Sequence, residues 1–233
     1  MMEKTEGFAE PNEFKTILVN FTREKMIHGT HQDTILVATQ AVMVFVQEMI
    51  EQLEASGQSP AVSCGSGCSF CCHSLIKVIP AEALLIESFI RHHFIDSDIQ
   101  VLKKKIYDYQ ILVDGKSLKK RVLIKDQTPC IFLKNSICRI YPVRPFICRA
   151  WNSLDRSACQ SAFRSANHNA EIEASPVRNF IFGTAREIFQ EMDSQMALET
   201  GLYKIPGAIL DCLSHTDSLK RWCMNEPVFT NVN

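Results

Sequence analysis

Over residues 33–55 apolar side chains recur at three-and-four spacing: Ile35, Ala38, Val42, Phe45, Val46, Met49 and Leu53. That period belongs to a helix with one buried face, and Asp33 stands where an N-cap is wanted. The polar run Ser56-Gly57-Gln58-Ser59-Pro60 ends it. A shorter helix is expected over 12–28, with Phe14, Ile17, Leu18 and Phe21 on one side. Further on, 74–80 reads as a short β-like run closed by Pro80, which itself suits the first turn of a helix reaching about residue 95. Leu84, Leu85, Phe89, Ile90 and Phe94 are its apolar positions. Residues 98–113 repeat the pattern with Ile99, Leu102, Ile106, Tyr109 and Leu112, and Asp114-Gly115 stops them.

Ile131-Phe132-Leu133 and Ile137-Cys138-Arg139-Ile140 flank Lys134-Asn135-Ser136, the pattern of a hairpin. Helical spacing returns over 176–200 and again over 206–223, with a loose tail expected after Pro227. No internal repeat interrupts the chain. The expected fold is mainly α: helices around an irregular cysteine-rich metal centre, with a small β hairpin. One domain is expected over 1–233, with a cysteine-cluster region at 60–160 and helical flanks at 1–59 and 161–233.

The polar interruptions are where the chemistry lies. Cys64-Gly-Ser-Gly-Cys68-Ser-Phe-Cys71-Cys72-His73 packs four thiols and an imidazole into ten residues. Thiolates this close cannot all pair in unstrained disulfides. Soft sulfur ligands select zinc, copper(I) or iron–sulfur clusters. A second stretch supplies Cys130, Cys138, Cys148 and Cys159. Eight sulfurs suffice for two tetrahedral sites, or for an iron–sulfur cluster beside another metal. Spacing does not fix which sulfur serves which ion. Adjacent side chains such as Cys71 and Cys72 seldom point the same way, so each is expected to serve a different site.

Between Thr128 and Arg164 stand six basic residues, Lys134, Arg139, Arg144, Arg149, Arg156 and Arg164, against one acid, Asp155. Guanidinium groups near bound thiolates compensate their charge. The sharper alternative is an anion or carboxylate site beside the metal. The net charge of −1 argues against a general role at nucleic acids or membrane surfaces. The nearest approach to a membrane span, 34–49, is punctuated by Thr39, Gln40 and Gln47. The first residues lack the apolar segment of a signal peptide. A cytoplasmic location is expected, where clustered cysteines bind metals or catalyse more often than they form disulfides.

The run Cys64-x3-Cys68-x2-Cys71-Cys72, then Cys130-Ile-Phe-Leu, Cys138-Arg-Ile-Tyr-Pro-Val-Arg-Pro and Cys148-Arg149, resembles the YkgJ-like CxxCxxCC cysteine-cluster family. The first gap is three residues here, where many members have two. The resemblance implies a zinc- or iron-chelating domain, and its eight-cysteine pattern falls on Cys64, Cys68, Cys71, Cys72, Cys130, Cys138, Cys148 and Cys159. Some relatives are called flagellin lysine N-methylases. The resemblance therefore also admits a cluster-dependent protein lysine N-methyltransferase using S-adenosylmethionine and a protein substrate. The spacing of Cys64, Cys68 and Cys71 fits radical S-adenosylmethionine enzymes too, but their barrel needs alternating strands and helices that this chain lacks.

Other candidates read as structural. His73 is expected behind the ligands rather than among them. Cys212 and Cys223, on one expected helix, are expected to face the core. His92 and His93 suit a helix C-terminus. Met43, Met49, Met192 and Met196 read as core filling, and Trp151 as a shield or a pocket wall. No phosphate-binding glycine loop, nucleophile elbow or His-Glu-x-x-His pair is present.

Overall fold

The computed structural model describes residues 11–26, 32–165 and 170–230. Its elements are mainly α-helical. Helix α1 spans Pro11–Met26 and α2 spans Gln32–Ala55. Residues 27 and 28 of the first expected helix lie outside the described residues. Helix α2 begins at Gln32, one residue before the cap expected at Asp33.

Thr34–Ala55 is long and apolar enough, by length and composition, to cross a bilayer, which the punctuated pattern of 34–49 did not suggest. In this fold its apolar face is spent on protein. Ala38, Val42, Val46 and Ile50 are fully buried, and the helix packs against α1, against α3 (Pro80–His93) and against α8 (Pro176–Gln195). Arg178 of α8 fastens the far end, donating to Glu54 Oε1 from Nη2 at 2.8 Å and from Nε at 3.1 Å.

Helix α3 starts where Pro80 predicts, and Glu82 Oε2 accepts the amide of Ile79 at 2.9 Å. Ser175 caps α8 by accepting the Arg178 amide at 3.2 Å, with Pro176 in the first turn. Helix α4, Asp96–Val113, ends at Gly115, whose φ of 63° is a left-handed turn that suits glycine. Strand β1, Lys77–Val78, pairs antiparallel with β4, Tyr203–Lys204, in the register Val78↔Tyr203. Strands β2, Leu133–Lys134, and β3, Ile137–Cys138, form the expected hairpin around a two-residue turn, Asn135-Ser136. A single hydrophobic core runs from Phe14 in α1 to Phe229.

Several expectations are corrected. The helix expected over 206–223 is two, α9 at Ile205–Ser214 and α10 at Ser218–Cys223. Arg91 and Ser218 take the carbonyls that a continuing helix would use: Arg91 Nη2 donates to His215 O at 2.6 Å and Ser218 Oγ to Cys212 O at 2.8 Å. Cys212 is buried as expected, whereas Cys223 is only partly so. Helix α8 stops at Gln195 because Ala197 turns left-handed, φ 55°, and the Leu198 amide returns to Asp193 O at 2.9 Å. That leaves Met196 40% exposed rather than in the core.

The described part of the tail, residues 228–230, is docked, and residues 231–233 lie outside the described residues. Val228 and Phe229 are buried, and their amides donate to the Glu199 carboxylate at 2.9 and 3.3 Å. Three helices had no signal strong enough to expect: α5, Leu118–Leu123; α6, Phe146–Ala150; and α7, Arg156–Arg164. All three border the cysteines.

Candidate metal centre

The two cysteine stretches meet through their backbones. The amide of Cys130 donates to the carbonyl of Cys72 at 2.6 Å, and that of Ser63 to Ser153 O at 2.8 Å. The Ser63 hydroxyl adds a bond to Leu154 O at 2.5 Å. The first contact brings Cys72 to the hairpin; the second brings Cys64 to the chain entering α7, which carries Cys159.

Each cysteine is held by a different local device. Cys68 and Cys72 close tight turns, their amides donating to Gly65 O and Ser69 O, both at 3.0 Å. Gly67 has φ 77°, the one place in this loop where a side chain would strain the backbone. Cys138 sits on β3 opposite Leu133, whose amide donates to Cys130 O at 2.9 Å. Lys105 staples the hairpin to α4, donating to Cys130 O at 3.1 Å and to Leu133 O at 3.0 Å. Cys148 lies on α6, whose first amide, that of Phe146, donates to buried Glu82 Oε1 at 2.7 Å. Asp155 caps α7 by accepting the Ser157 amide at 2.7 Å, setting Cys159 one turn further on.

The spatial neighbours cross the two stretches. Cys64, Cys68, Cys71 and Cys159 line one cavity of about 400 Å³, walled by Phe70, Phe163, Trp151 and Ile172 and edged by His73 and Lys125. Cys64 and Cys71 are exposed there. Cys130, Cys138 and Cys148 instead pack against the hydrophobic core. Cys72, bonded through its carbonyl to Cys130, is not part of the cavity wall. Of this adjacent pair only Cys71 reaches the cavity wall, and its thiol is hydrogen-bonded to that of Cys72.

Burial pushes the Cys64 thiol up, as do Cys68, Cys71 and Cys159 beside it, while the Ser153 amide opposes this. The hydrogen bond with Cys72 is the chief cause that holds Cys71 far above the ordinary thiol range. Burial raises Cys130 to about 11 and takes Cys148 well above its usual value. Burial also raises Cys138 and Cys159, opposed at Cys138 by Arg144 and at Cys159 by the Ser153 hydroxyl. Without a metal these thiols keep their protons, so binding an ion must release them.

The donor chemistry fits a soft metal: eight thiols from both stretches on one side of the core, facing guanidinium charge. No three cysteine, histidine or carboxylate side chains among the described residues stand in a ready-made ligand geometry, so the thiols must turn toward an ion to share it. The arginines divide by role. Arg149 braces backbone, donating to Arg144 O at 2.7 Å and to Pro142 O at 2.9 Å. Arg139 pairs with Asp98 at 2.6 Å and lies over the Phe94 ring. Arg144 lies over Tyr141; its Nε is buried without a partner, and its charge lowers the Cys71, Cys138 and Cys148 thiols. That is charge compensation at the sulfurs. His73 stands behind the loop, its Nδ1 2.7 Å from Lys125 O and its ring edge-on to Phe163.

Sequence reasoning missed Ser153, Lys125, Phe163 and Glu82. Only Glu82 left a signal, as an acid three residues into a proline-started helix, the position from which a carboxylate reaches back to the first amides.

A sulfur-rich metal-binding domain is the class that such a donor set defines. Residues 63–173 match the family model CxxCxxCC, described as "Putative zinc- or iron-chelating domain", the family that the cysteine motifs resemble. The match begins at the cysteine loop and continues past α7, beyond the region of 60–160 expected from the motifs. No curated protein and no solved structure matches the chain.

Proposed function

We propose that the protein binds zinc or iron through Cys64, Cys68, Cys71, Cys72, Cys130, Cys138, Cys148 and Cys159, four thiols to a site. The carrying observation is the meeting of the two stretches at the 2.6 Å bond between Cys130 and Cys72, with the buried, unpartnered Arg144 Nε beside the sulfurs. A cytoplasmic location goes with this reading, because clustered cysteines there bind metals more often than they form disulfides.

The test is metal and sulfide analysis with a visible spectrum on anaerobically purified protein. Zinc leaves it colourless; an iron–sulfur cluster makes it brown and bleaches in air. Cys68→Ser and Cys138→Ser should each lose metal. Full metal retention in both sinks the eight-cysteine reading.

The cavity beside Cys64, Cys68, Cys71 and Cys159 favours a second reading, a cluster-dependent protein lysine N-methyltransferase using S-adenosylmethionine. Equilibrium dialysis of the metal-loaded protein against S-adenosylmethionine decides it. An absence of binding leaves the chelating function alone.

A further inference from the structure

Resting on the metal-binding reading, we propose that the two sets of thiols hold their ions on different terms. The outer set, Cys64, Cys68, Cys71 and Cys159, is an exchange site that receives and surrenders its ion through the cavity. The inner set, Cys72, Cys130, Cys138 and Cys148, keeps its ion as part of the fold. The acceptor served by the outer site is a small thiolate compound with an apolar body.

Three independent features separate the sets. The outer four line one cavity of about 400 Å³, and two of them are exposed. Three of the inner four pack on the hydrophobic core, among residues such as Phe132, Ile140 and Phe146 that are at most 1% exposed. The elements differ as well. Three of the inner cysteines sit at the hairpin stapled by Lys105 and on α6, which Glu82 anchors, while Cys72 shares the short turn Phe70–His73 with Cys71 and joins them through its carbonyl. The outer ones sit on a glycine loop and on the nine-residue helix α7, on the far side of the cavity.

Ligand exchange at a tetrahedral thiolate site is associative in character: an entering donor must reach the ion before a protein sulfur leaves. Volume and exposure beside the ion therefore decide which site exchanges. The outer cavity supplies both, whereas the inner sulfurs are only partly exposed and form no part of its wall. Phe70, Phe163 and Trp151 give an entering molecule apolar walls. The Lys125 ammonium, which donates to Ala162 O at 2.9 Å and lies 4.9 Å from the Phe163 ring centre, gives its thiolate a positive charge to approach. Bonds from the ion to protein sulfur break as bonds to the acceptor form. The freed protein thiolates take up protons from water, and no electron moves.

The test follows zinc release from the zinc-loaded full chain into an excess of the chromogenic chelator 4-(2-pyridylazo)resorcinol. Two phases are expected, with a fast ion from the outer site and a slow ion whose release coincides with loss of helical circular dichroism. Cys159→Ser and Cys64→Ser should abolish the fast phase and leave the slow one. Ala162→Trp, which fills the cavity and replaces no sulfur, should keep the zinc content and slow the fast phase about tenfold or more. Ile172→Trp serves the same purpose should the first variant fold poorly. Benzenethiol should draw zinc from the fast site alone.

Release of all the zinc in one phase overturns the proposal. So does a fast phase that survives Cys159→Ser but disappears in Cys138→Ser, or one unmoved by both cavity-filling variants. A wild-type chain that takes up no metal overturns the metal reading itself, which separates the two failures.

Discussion

Glu82 Oε1 accepts the amide of Phe146 at 2.7 Å across 64 residues of sequence, while its Oε2 accepts the amide of Ile79. One buried carboxylate thus caps α3 and α6 together, and α6 carries Cys148. Burial raises its pKa, and the two amides, Arg186 and Arg149 oppose the rise. Glu82→Ala leaves two buried N–H groups unpaired and should cost about 2–4 kcal/mol in urea unfolding. Metal content should fall in the same variant, because the helix that presents Cys148 loses its anchor. Glu82→Gln, which still accepts one bond, should lose roughly half as much stability.

Asp193, in the last turns of α8, is 1% exposed, and neither carboxylate oxygen has a hydrogen-bond partner. Burial raises its pKa from 3.8 to about 7. The folded state then holds a proton that the unfolded chain releases. Its contribution is fully present below pH 3.8, fades as pH rises to about 7 and stays lost above. The span corresponds to at most about 4 kcal/mol. Asp193→Asn should flatten the stability–pH curve between pH 4 and 7, read by urea unfolding across a pH series. An unchanged slope would show that the carboxyl is not the titrating group.

The hairpin turn places Asn135 at φ 52° and Ser136 at φ 60°. Two-residue turns with both residues left-handed favour asparagine followed by glycine. Ser136→Gly removes the Cβ penalty and should stabilise the protein by about 0.5–1 kcal/mol, seen as a higher melting temperature. Metal content, to which Cys138 on the strand after the turn is proposed to contribute, should be unchanged.

Glu199 holds the C-terminal segment from three directions. Its carboxylate accepts the Val228 and Phe229 amides and the Tyr203 hydroxyl, and its carbonyl accepts Trp222 Nε1 at 2.9 Å. Glu199→Ala should free residues 228–230 to proteolysis. Mass spectrometry after brief chymotrypsin treatment should show a cut after Phe229 at least about tenfold faster than in the parent chain, because local opening governs the rate.

Helices whose apolar period runs for several turns were legible, and so were the starts set by Pro80 and Pro176. Helices α5 and α6, of six and five residues, span too few turns for any period to show. The break at residues 215–217 depends on Arg91, from another helix, and the docked tail on Glu199. Neither leaves a mark in local sequence. The eight cysteines were legible as two stretches of the chain, whereas the side-chain hydrogen bond between Cys71 and Cys72 runs against the divergence expected of adjacent residues. The spatial sorting of the eight was not legible, because the position of Cys159 beside Cys64 depends on Ser63 bonding to Ser153 and Leu154.

The bond between Cys130 and Cys72 also bears on the order of assembly. Cys64 to Cys72 form a short loop that can gather on an ion while the chain is still emerging, at little closure cost. The other four thiols lie beyond α3, α4 and α5 in the sequence and so are synthesised later. Under the proposed division of the sulfurs, an ion caught early would hold Cys72 where the outer site uses Cys159. Maturation would then trade one sulfur for another within the same chain, and a surplus of metal during synthesis would act as a kinetic trap rather than an aid.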